Sequence, residues 1–319
     1  MKLLTLTLLI SIFFISCNNK PQNIVKKNVI KIDSIYFVPK INKTATFDLE
    51  LKKTKNINVK GRIQKSSSTS DIKLKITKLD NKNFRCSWNI KKIKITGHTA
   101  SNLEKKLLEL VQGFKYEFLL DSTGIFLELE NWKEIQSKGN KVFEVLLEEI
   151  KKMPRMNSQI LSQIKATVGS MFNSKENIEL FLMQEVQAYF SLEGIHMKHN
   201  DTITTPVSLP NPITKDLIKQ NIKVVFQEAY SDSTCAIRIM QEVDKNDLKS
   251  TVNNVYHKMG KNSSAKKINN QLSFKKYDVS IISDCIFSLK TGLPQKITSR
   301  KTIIFDKNKR VDEFEITQK

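Results

Sequence analysis

The chain has 319 residues and carries 53 Lys and Arg against 32 Asp and Glu, a formal net charge of +21. A hydrophobic fraction of 39% with a mean hydropathy of −0.33 allows a buried core and excludes a polytopic membrane protein. With 9 Gly and 7 Pro, collagen-like and linker-dominated architectures are also excluded, and the length suits about two compact units or one large one.

Met1-Lys2 is a minimal basic start, and Leu3 to Ile15 is an almost unbroken apolar run ending at Ser16-Cys17. Such a run is too short to cross about 30 Å of hydrocarbon as a helix, yet it suits the core of a signal peptide. Cys17-Asn18-Asn19-Lys20-Pro21 after it is loop chemistry, which argues against a buried core helix. Phe14-Ile15-Ser16-Cys17 resembles the lipobox of bacterial lipoproteins. The resemblance implies that residues 1–16 are a removed signal peptide, that Cys17 is lipidated, and, with Asn18 rather than Asp next, that the destination is the outer membrane. An ordinary secreted protein is the alternative. A thiolate is the side-chain nucleophile suited to acylation, and acyl chains at about 0.8 kcal/mol per buried CH2 anchor a protein without a transmembrane helix. Residues 17–43 read as the lipidated Cys and a polar, Lys/Asn-rich tether, whose end around Ile35-Tyr36-Phe37-Val38 docks on the body.

Residues 44–130 form a β-rich half. Thr46–Leu51, Asp71–Thr77, Phe84–Ile90 and Lys91–Ile95 alternate apolar and polar residues, the signature of antiparallel strands with one dry face and one wet, basic face. Ser101 and Glu104 make a capping box for a short helix through Leu107, Leu108 and Val111 that stops at Gly113. Lys115–Leu120, the turn Asp121-Ser122-Thr123-Gly124 and Ile125–Glu130 predict a hairpin.

Residues 131–204 are the helical block. Asn131 with Glu134 is an N-cap signature, Val142, Leu146, Ile150 and Met153 share a face up to Pro154, and Ile160, Ile164, Val168 and Met171 continue the spacing. Ser174 caps a further segment carrying Ile178, Phe181, Leu182, Val186, Tyr189 and Phe190.

Residues 205–319 return to strands after a Pro-bearing connector, Thr205 to Pro212. Strands are predicted at Ile222–Gln227, Cys235–Val243, Leu272–Ile282, Cys285–Leu289, Gln295–Phe305 and Val311–Ile316, with a helix around Leu248, Val252, Val255 and Met259. The turn Lys290-Thr291-Gly292-Leu293-Pro294 mirrors Asp121 to Gly124, so the two β-rich halves are quasi-similar. The predicted fold is α+β: a curved, half-barrel-like antiparallel sheet with helices packed on its concave face, since helices need an apolar partner and the sheet offers one dry face. In outline the chain resembles the lipoprotein-carrier-like folds of the Gram-negative envelope. It resembles more closely envelope lipoproteins of uncharacterised function that carry a lipobox and a strand–Thr-Gly–strand before an Asn-initiated helix, here Asp121 to Glu134. These resemblances imply a lipid or apolar peptide as ligand.

Beyond Cys17 the cysteines are Cys86, Cys235 and Cys285, with no Cys-x-x-Cys pair. A Cys235–Cys285 disulfide and three buried thiols are both open. Lys290-Thr291-Gly292 and Ser162-Gln163-Ile164-Lys165 match two elements of the penicillin-recognising serine enzymes. Ser-x-x-Lys recurs at Ser264–Lys267 and Ser273–Lys276, and the third element is missing between Lys165 and Lys290, so a hairpin turn is the better reading. His196, His199 and Asp201 fall short of the ligand set zinc needs, and Glu128 with Glu130 suits the wet side of a hairpin better than an acid/base pair. No hydrolase, P-loop or dinucleotide motif is present, so neither an enzyme, a cofactor nor a metal is expected.

The export signal, the interspersed carboxylates and the excess of Lys over Arg also argue against a nucleic-acid partner. Lys73, Lys75, Lys91, Lys92 and Lys94 form a dispersed basic face with membrane-surface affinity of up to about 1 kcal/mol per near-surface cation. The first functional reading is a non-enzymatic, outer-membrane-anchored lipoprotein binding a lipid or other hydrophobic ligand, with Phe118, Ile125, Leu127, Trp132, Phe181, Tyr189 and Phe287 as cavity candidates. The second is an envelope interaction or maintenance module with a solid core that binds protein partners through its basic face. The sequence carries no signal for oligomeric state.

Overall fold

A computed structural model describes residues 28–59, 61–80, 82–96, 111–152, 158, 161–162, 165, 169–210, 217–248, 250, 277–305 and 308–319. The leader, Cys17, the capping box at Ser101 and Glu104, and all but the start of the helix predicted from Leu248 lie outside these residues.

The strands are β1 (Val29–Ile30), β2 (Ser34–Tyr36), β3 (Thr44–Val59), β4 (Arg62–Lys78), β5 (Phe84–Thr96), β6 (Lys115–Leu120) and β7 (Phe126–Leu129), then β8 (His196–Lys198), β9 (Thr202–Pro210), β10 (Leu217–Tyr230), β11 (Thr234–Val243), β12 (Tyr277–Ser288), β13 (Leu293–Phe305) and β14 (Asn308–Gln318). The helices are α1 (Trp132–Lys151), α2 (Lys175–Leu182) and α3 (Gln184–Tyr189). Two antiparallel meanders, β10 to β14 and β3 to β7, join where the C-terminal strand β14 pairs with β3. The result is a curved, unclosed α+β sheet, with β2 and β8 making a small separate one.

Alternation builds the dry face. Ile72, Leu74 and Ile76 on β4 are buried while Lys73 and Lys75 between them are exposed, and Tyr116, Phe118 and Leu120 repeat the pattern on β6. Each such side chain contributes about 1.5–3 kcal/mol by leaving water. The helices cover this face: Ile135, Val142, Phe143, Leu146 and Ile150 of α1 belong to the same core as Leu49, Trp88, Phe226, Cys285 and Ile297 from five strands of the sheet. Helical spacing and the Glu134–Lys138 pair one turn apart favour α1 locally. Ser174 caps α2, its Oγ accepting from the Asn177 N–H at 3.2 Å. Asn131 occupies the N-cap position of α1 and donates to the Glu134 carboxylate at 3.2 Å, but its side chain accepts nothing from the helix backbone. Its amide is engaged by β6 instead, accepting from the Glu117 N–H at 2.9 Å and donating to the Lys115 carbonyl at 2.8 Å, so it staples the helix start to the sheet.

Three segments differ from the sequence expectation. Leu272–Ile282 and Cys285–Leu289 were expected as two strands, yet the described part is one continuous strand, β12, because Ser283 and Asp284 are held in the ladder opposite Ser299 and Thr298. The Pro-bearing connector is largely strand β9. It lies on the sheet edge against β10 alone, where Pro206 and Pro210 need no donor on the open side. The tether docks around Ile35 to Val38 as expected, Phe37 being fully buried with its ring 4.6 Å from that of Phe287. It differs in also joining the sheets as strands: β1 adds to β10 and β2 pairs β8.

Residues 37–40 form a strap that both Thr-Gly turns meet. The Lys40 N–H donates to the Thr291 carbonyl at 2.7 Å, and Lys40 Nζ donates to the Leu289 carbonyl at 2.8 Å. Gly292 has φ +67°, and a Cβ there would lie 1.7 Å from the Val38 carbonyl oxygen; at Gly124, φ +94°, it would lie 2.7 Å from Pro39 Cδ and 2.9 Å from Glu193 Cβ. Both turns therefore require glycine, for the left-handed backbone and for the strap's close approach.

Candidate functional site

The inner face grades from apolar to polar along the strands. The row Ser70, Leu51, Ile316, Ile297, Cys285, Ile237 lies directly opposite across β4, β3, β14, β13, β12 and β11. Two residues further along, the row is Ser68, Lys53, Phe314, Ser299, Ser283, Ile239, and two beyond that it contains Lys55, Asp312 and Lys301 side by side. Lys53 pairs with Glu185 of α3, which closes the helical cover at this level. Both oxygens of Asp312 accept from Arg310, at 2.9 and 2.7 Å. Lys55 beside them is buried, and desolvation, reinforced by the Arg310 charge, lowers its pKa to about 7.

At the other end, where the first Thr-Gly hairpin meets the end of α3, a cleft of about 350 Å³ opens to solvent. Ile125, Phe126, Val186 and Phe190 make its walls apolar, and Gln187, Ser191 and Glu193 complete the lining. The turn is shaped by Asp121, whose Oδ1 accepts from the Thr123 N–H at 2.8 Å, the Thr123 hydroxyl at 2.7 Å and the Ile125 N–H at 3.0 Å. These bonds hold the Asp121 carboxyl below the usual carboxylate range against the opposing effect of burial. Gln187 and Ser191 spend their donors on the Glu179 and Ala188 carbonyls, at 3.0 and 2.9 Å.

Glu193 differs from both. The residue is 5% exposed, and neither carboxyl oxygen has a hydrogen-bond partner. Burial pushes its pKa well above the usual range, so the carboxyl is held toward its neutral form. Its surroundings contain other acids rather than bases. Cys86 of β5, Cys285 of β12 and Tyr189 of α3 all feel its charge, and burial raises all three above their ordinary values. The Tyr189 hydroxyl is already committed, donating to the Pro294 carbonyl at 3.0 Å and accepting from Gln318 Nε2 at 2.8 Å.

The sequence-predicted cavity residues divide by position. Ile125 lines the cleft and is 49% exposed at its mouth. Phe118, Tyr189 and Phe287 lie in the buried core behind it: Phe118 and Tyr189 both pack edge-on to Phe190, at 5.7 and 5.1 Å. Leu127 is exposed, Trp132 is half-buried against the core, and the side chain of Phe181 lies outside the described residues. Phe126, Val186, Phe190 and Glu193 were not singled out from sequence. Glu193 sits in Leu192-Glu193-Gly194, where a charged residue before glycine reads as a solvated turn.

Cys86, Cys235 and Cys285 are free buried thiols. Cys235 lies opposite Phe287 and Cys285 opposite Ile237, a diagonal placement, and burial pushes the Cys235 thiol up to about 12, which keeps it out of the reactive thiolate form. Lys290 to Gly292 is the strap-binding turn, and Ser162 and Lys165 are exposed. Glu128 pairs with Lys175, and Glu130 takes Arg85 bidentately at 2.9 and 3.0 Å. His196 packs edge-on to Tyr36, and His199 to Phe226. Lys73, Lys75, Lys91, Lys92 and Lys94 are all exposed. Among the described residues no helix is long and apolar enough to cross a membrane.

No protein-family profile matches the chain, and no curated protein matches it. Among solved structures it aligns with a lipovitellin chain described for its lipid–protein interactions, at 9% identity and a TM-score of 0.43, over 89% of this chain and 25% of that one. The chain thus spans about a quarter of lipovitellin's length. It also aligns with a DUF1329 family protein from Desulfovibrio piger ATCC 29098 over 86% of both chains, at 8% identity and a TM-score of 0.17. Both likenesses are too loose to carry a fold or a ligand from one protein to the other.

Proposed function

We propose that this chain is a non-enzymatic lipoprotein of the outer membrane, held there by acylated Cys17, that takes a lipid-class apolar ligand into the cleft beside the first Thr-Gly hairpin. The observation that supports the ligand is the cleft itself: four apolar walls from a hairpin and a helix, open to solvent, at the small end of the 300–1,000 Å³ typical of ligand sites. Its volume suits the end of one chain rather than a whole lipid. Trp88, Phe118, Tyr189 and Phe287 are packed in the core behind it, and the cleft at the rim is where the apolar surface opens to solvent. The anchor reading rests on the lipobox resemblance and on reach. Cys17 precedes Asn28, where the body begins, by eleven residues, a span of at most about 40 Å.

The full mature chain is expected to enhance the fluorescence of an environment-sensitive fatty acid. Ser191→Trp, an indole placed in the cleft from an exposed position, is expected to weaken that uptake about tenfold by filling the apolar space. No uptake by the wild type, or equal uptake by the variant, refutes the cleft as the site.

A second reading, docking of a protein partner, is favoured by one observation, the five exposed lysines on the outer face of β4 and β5. It predicts binding that weakens steeply with salt and ignores the Ser191 substitution.

A further inference from the structure

The cleft holds one polar side chain that the fold does not use. Resting on the reading of the cleft as an apolar-ligand site, we infer that Glu193 is its recognition group: a carboxyl that hydrogen-bonds the uncharged polar head, a hydroxyl or a comparable donor–acceptor group, of a chain lying in the cleft. Both Glu193 oxygens are buried without a partner, in a residue that forms part of the cleft wall. A neutral carboxyl offers one O–H donor and a carbonyl acceptor, so its complement is a group that can both accept and donate. An anionic head has no cation here to meet. Burial alone sets the state of Glu193, with no described neighbouring cation offsetting it, and Cys86, Cys285 and Tyr189 beside it, from β5, β12 and α3, are acids. A bare hydrocarbon would leave the carboxyl as unsatisfied as it is now. Gln187 Nε2 and Ser191 Oγ are each tied to the helix by a bond to a backbone carbonyl, whereas both oxygens of Glu193 lack any partner. Ile125, half in solvent at the mouth, is the side chain that can swing to admit the chain.

The test uses displacement of a bound neutral naphthylamine fluorophore by dodecanol and by dodecane from the full mature chain. The wild type is expected to prefer the alcohol by about tenfold, the worth of one buried hydrogen bond to an otherwise orphaned group. Glu193→Leu should still bind dodecane but lose the preference, while Glu193→Gln, which keeps donor and acceptor, should retain most of it. Difference infrared spectra of the wild type give a readout independent of whether the Leu variant folds: dodecanol, and not dodecane, should shift the protonated carboxyl C=O band that Glu193→Gln deletes. A wild type that binds both ligands equally, a Leu variant that keeps the preference, or an unshifted band overturns the role of Glu193 and leaves the cleft reading standing. A wild type that binds neither ligand overturns both.

Discussion

Buried charge at single positions gives this fold a characteristic pH response. Lys55 sits in a row with Asp312 and Lys301; burial and the Arg310 charge, only partly offset by the Asp312 carboxylate, bring the Lys55 pKa down to about 7 from 10.5. In the unfolded chain Lys55 holds its proton up to about 10.5, so between those two values the unfolded state binds more protons and stability rises with pH. The burden of the charge is fully present below about 7 and is relieved above it. Lys55→Met is therefore expected to stabilise the protein by about 1–4 kcal/mol at pH 6, with the gain shrinking toward zero near pH 10. Paired thermal melts across that range check it, and a variant less stable at pH 6 contradicts it. Glu193 has the opposite slope. Its raised pKa makes it harmless below about 4.5 and increasingly costly above, which a protein keeps only where the group has another use.

Among the elements, the strap of residues 37–40 does what neither β-rich half does alone, since the turns at Gly124 and Gly292 come from different meanders and both rest on it. Gly292→Ala would set a methyl 1.7 Å from the Val38 carbonyl oxygen in a left-handed backbone, so the strap or the turn must move. A loss of about 2–4 kcal/mol is expected, against about 1–2 kcal/mol for the same change at Gly113, where nothing lies within 4 Å and the positive φ alone is strained. Chemical denaturation of the two variants separates backbone strain from the strap contact; equal losses contradict the strap's role. The sequence showed the two Thr-Gly turns as a mirrored pair because turn chemistry is local. That both turns close on a third segment was not legible, since the strap is an extended stretch whose only pattern is Ile35, Phe37 and Ile41 pointing inward. Asn131 misled in part for a related reason: it stands at the N-cap as local rules expect, but β6 offered its amide better partners.

At the scale of the whole molecule, the alternation of β3 to β6 and β10 to β14 made the α+β sheet readable, with helices on its inner face. What alternation could not give was the order of the strands. The pairing of β14 with β3, which joins the two meanders into one sheet, links residues 49–58 to residues 309–318 and has no local signal. The same limit explains the site. Sequence reasoning favoured large aromatics as cavity lining, and Phe118, Tyr189 and Phe287 went to the buried core because big apolar groups are the ones most worth burying. Of the predicted residues Ile125 bounds the cleft, beside Phe126, Val186 and Phe190 and a glutamate that no turn rule would place out of water.

On the proposed reading, an apolar ligand occupies the cleft of a protein tethered by Cys17. The most direct measurement is native mass spectrometry of the Cys17→Ala chain, purified from cells without detergent, alongside the same chain carrying Ser191→Trp. The prediction is a soluble body carrying a single adduct of lipid mass, released on activation and absent when the cleft is filled. A bare mass for the Cys17→Ala body, or an adduct unchanged by Ser191→Trp, would contradict it.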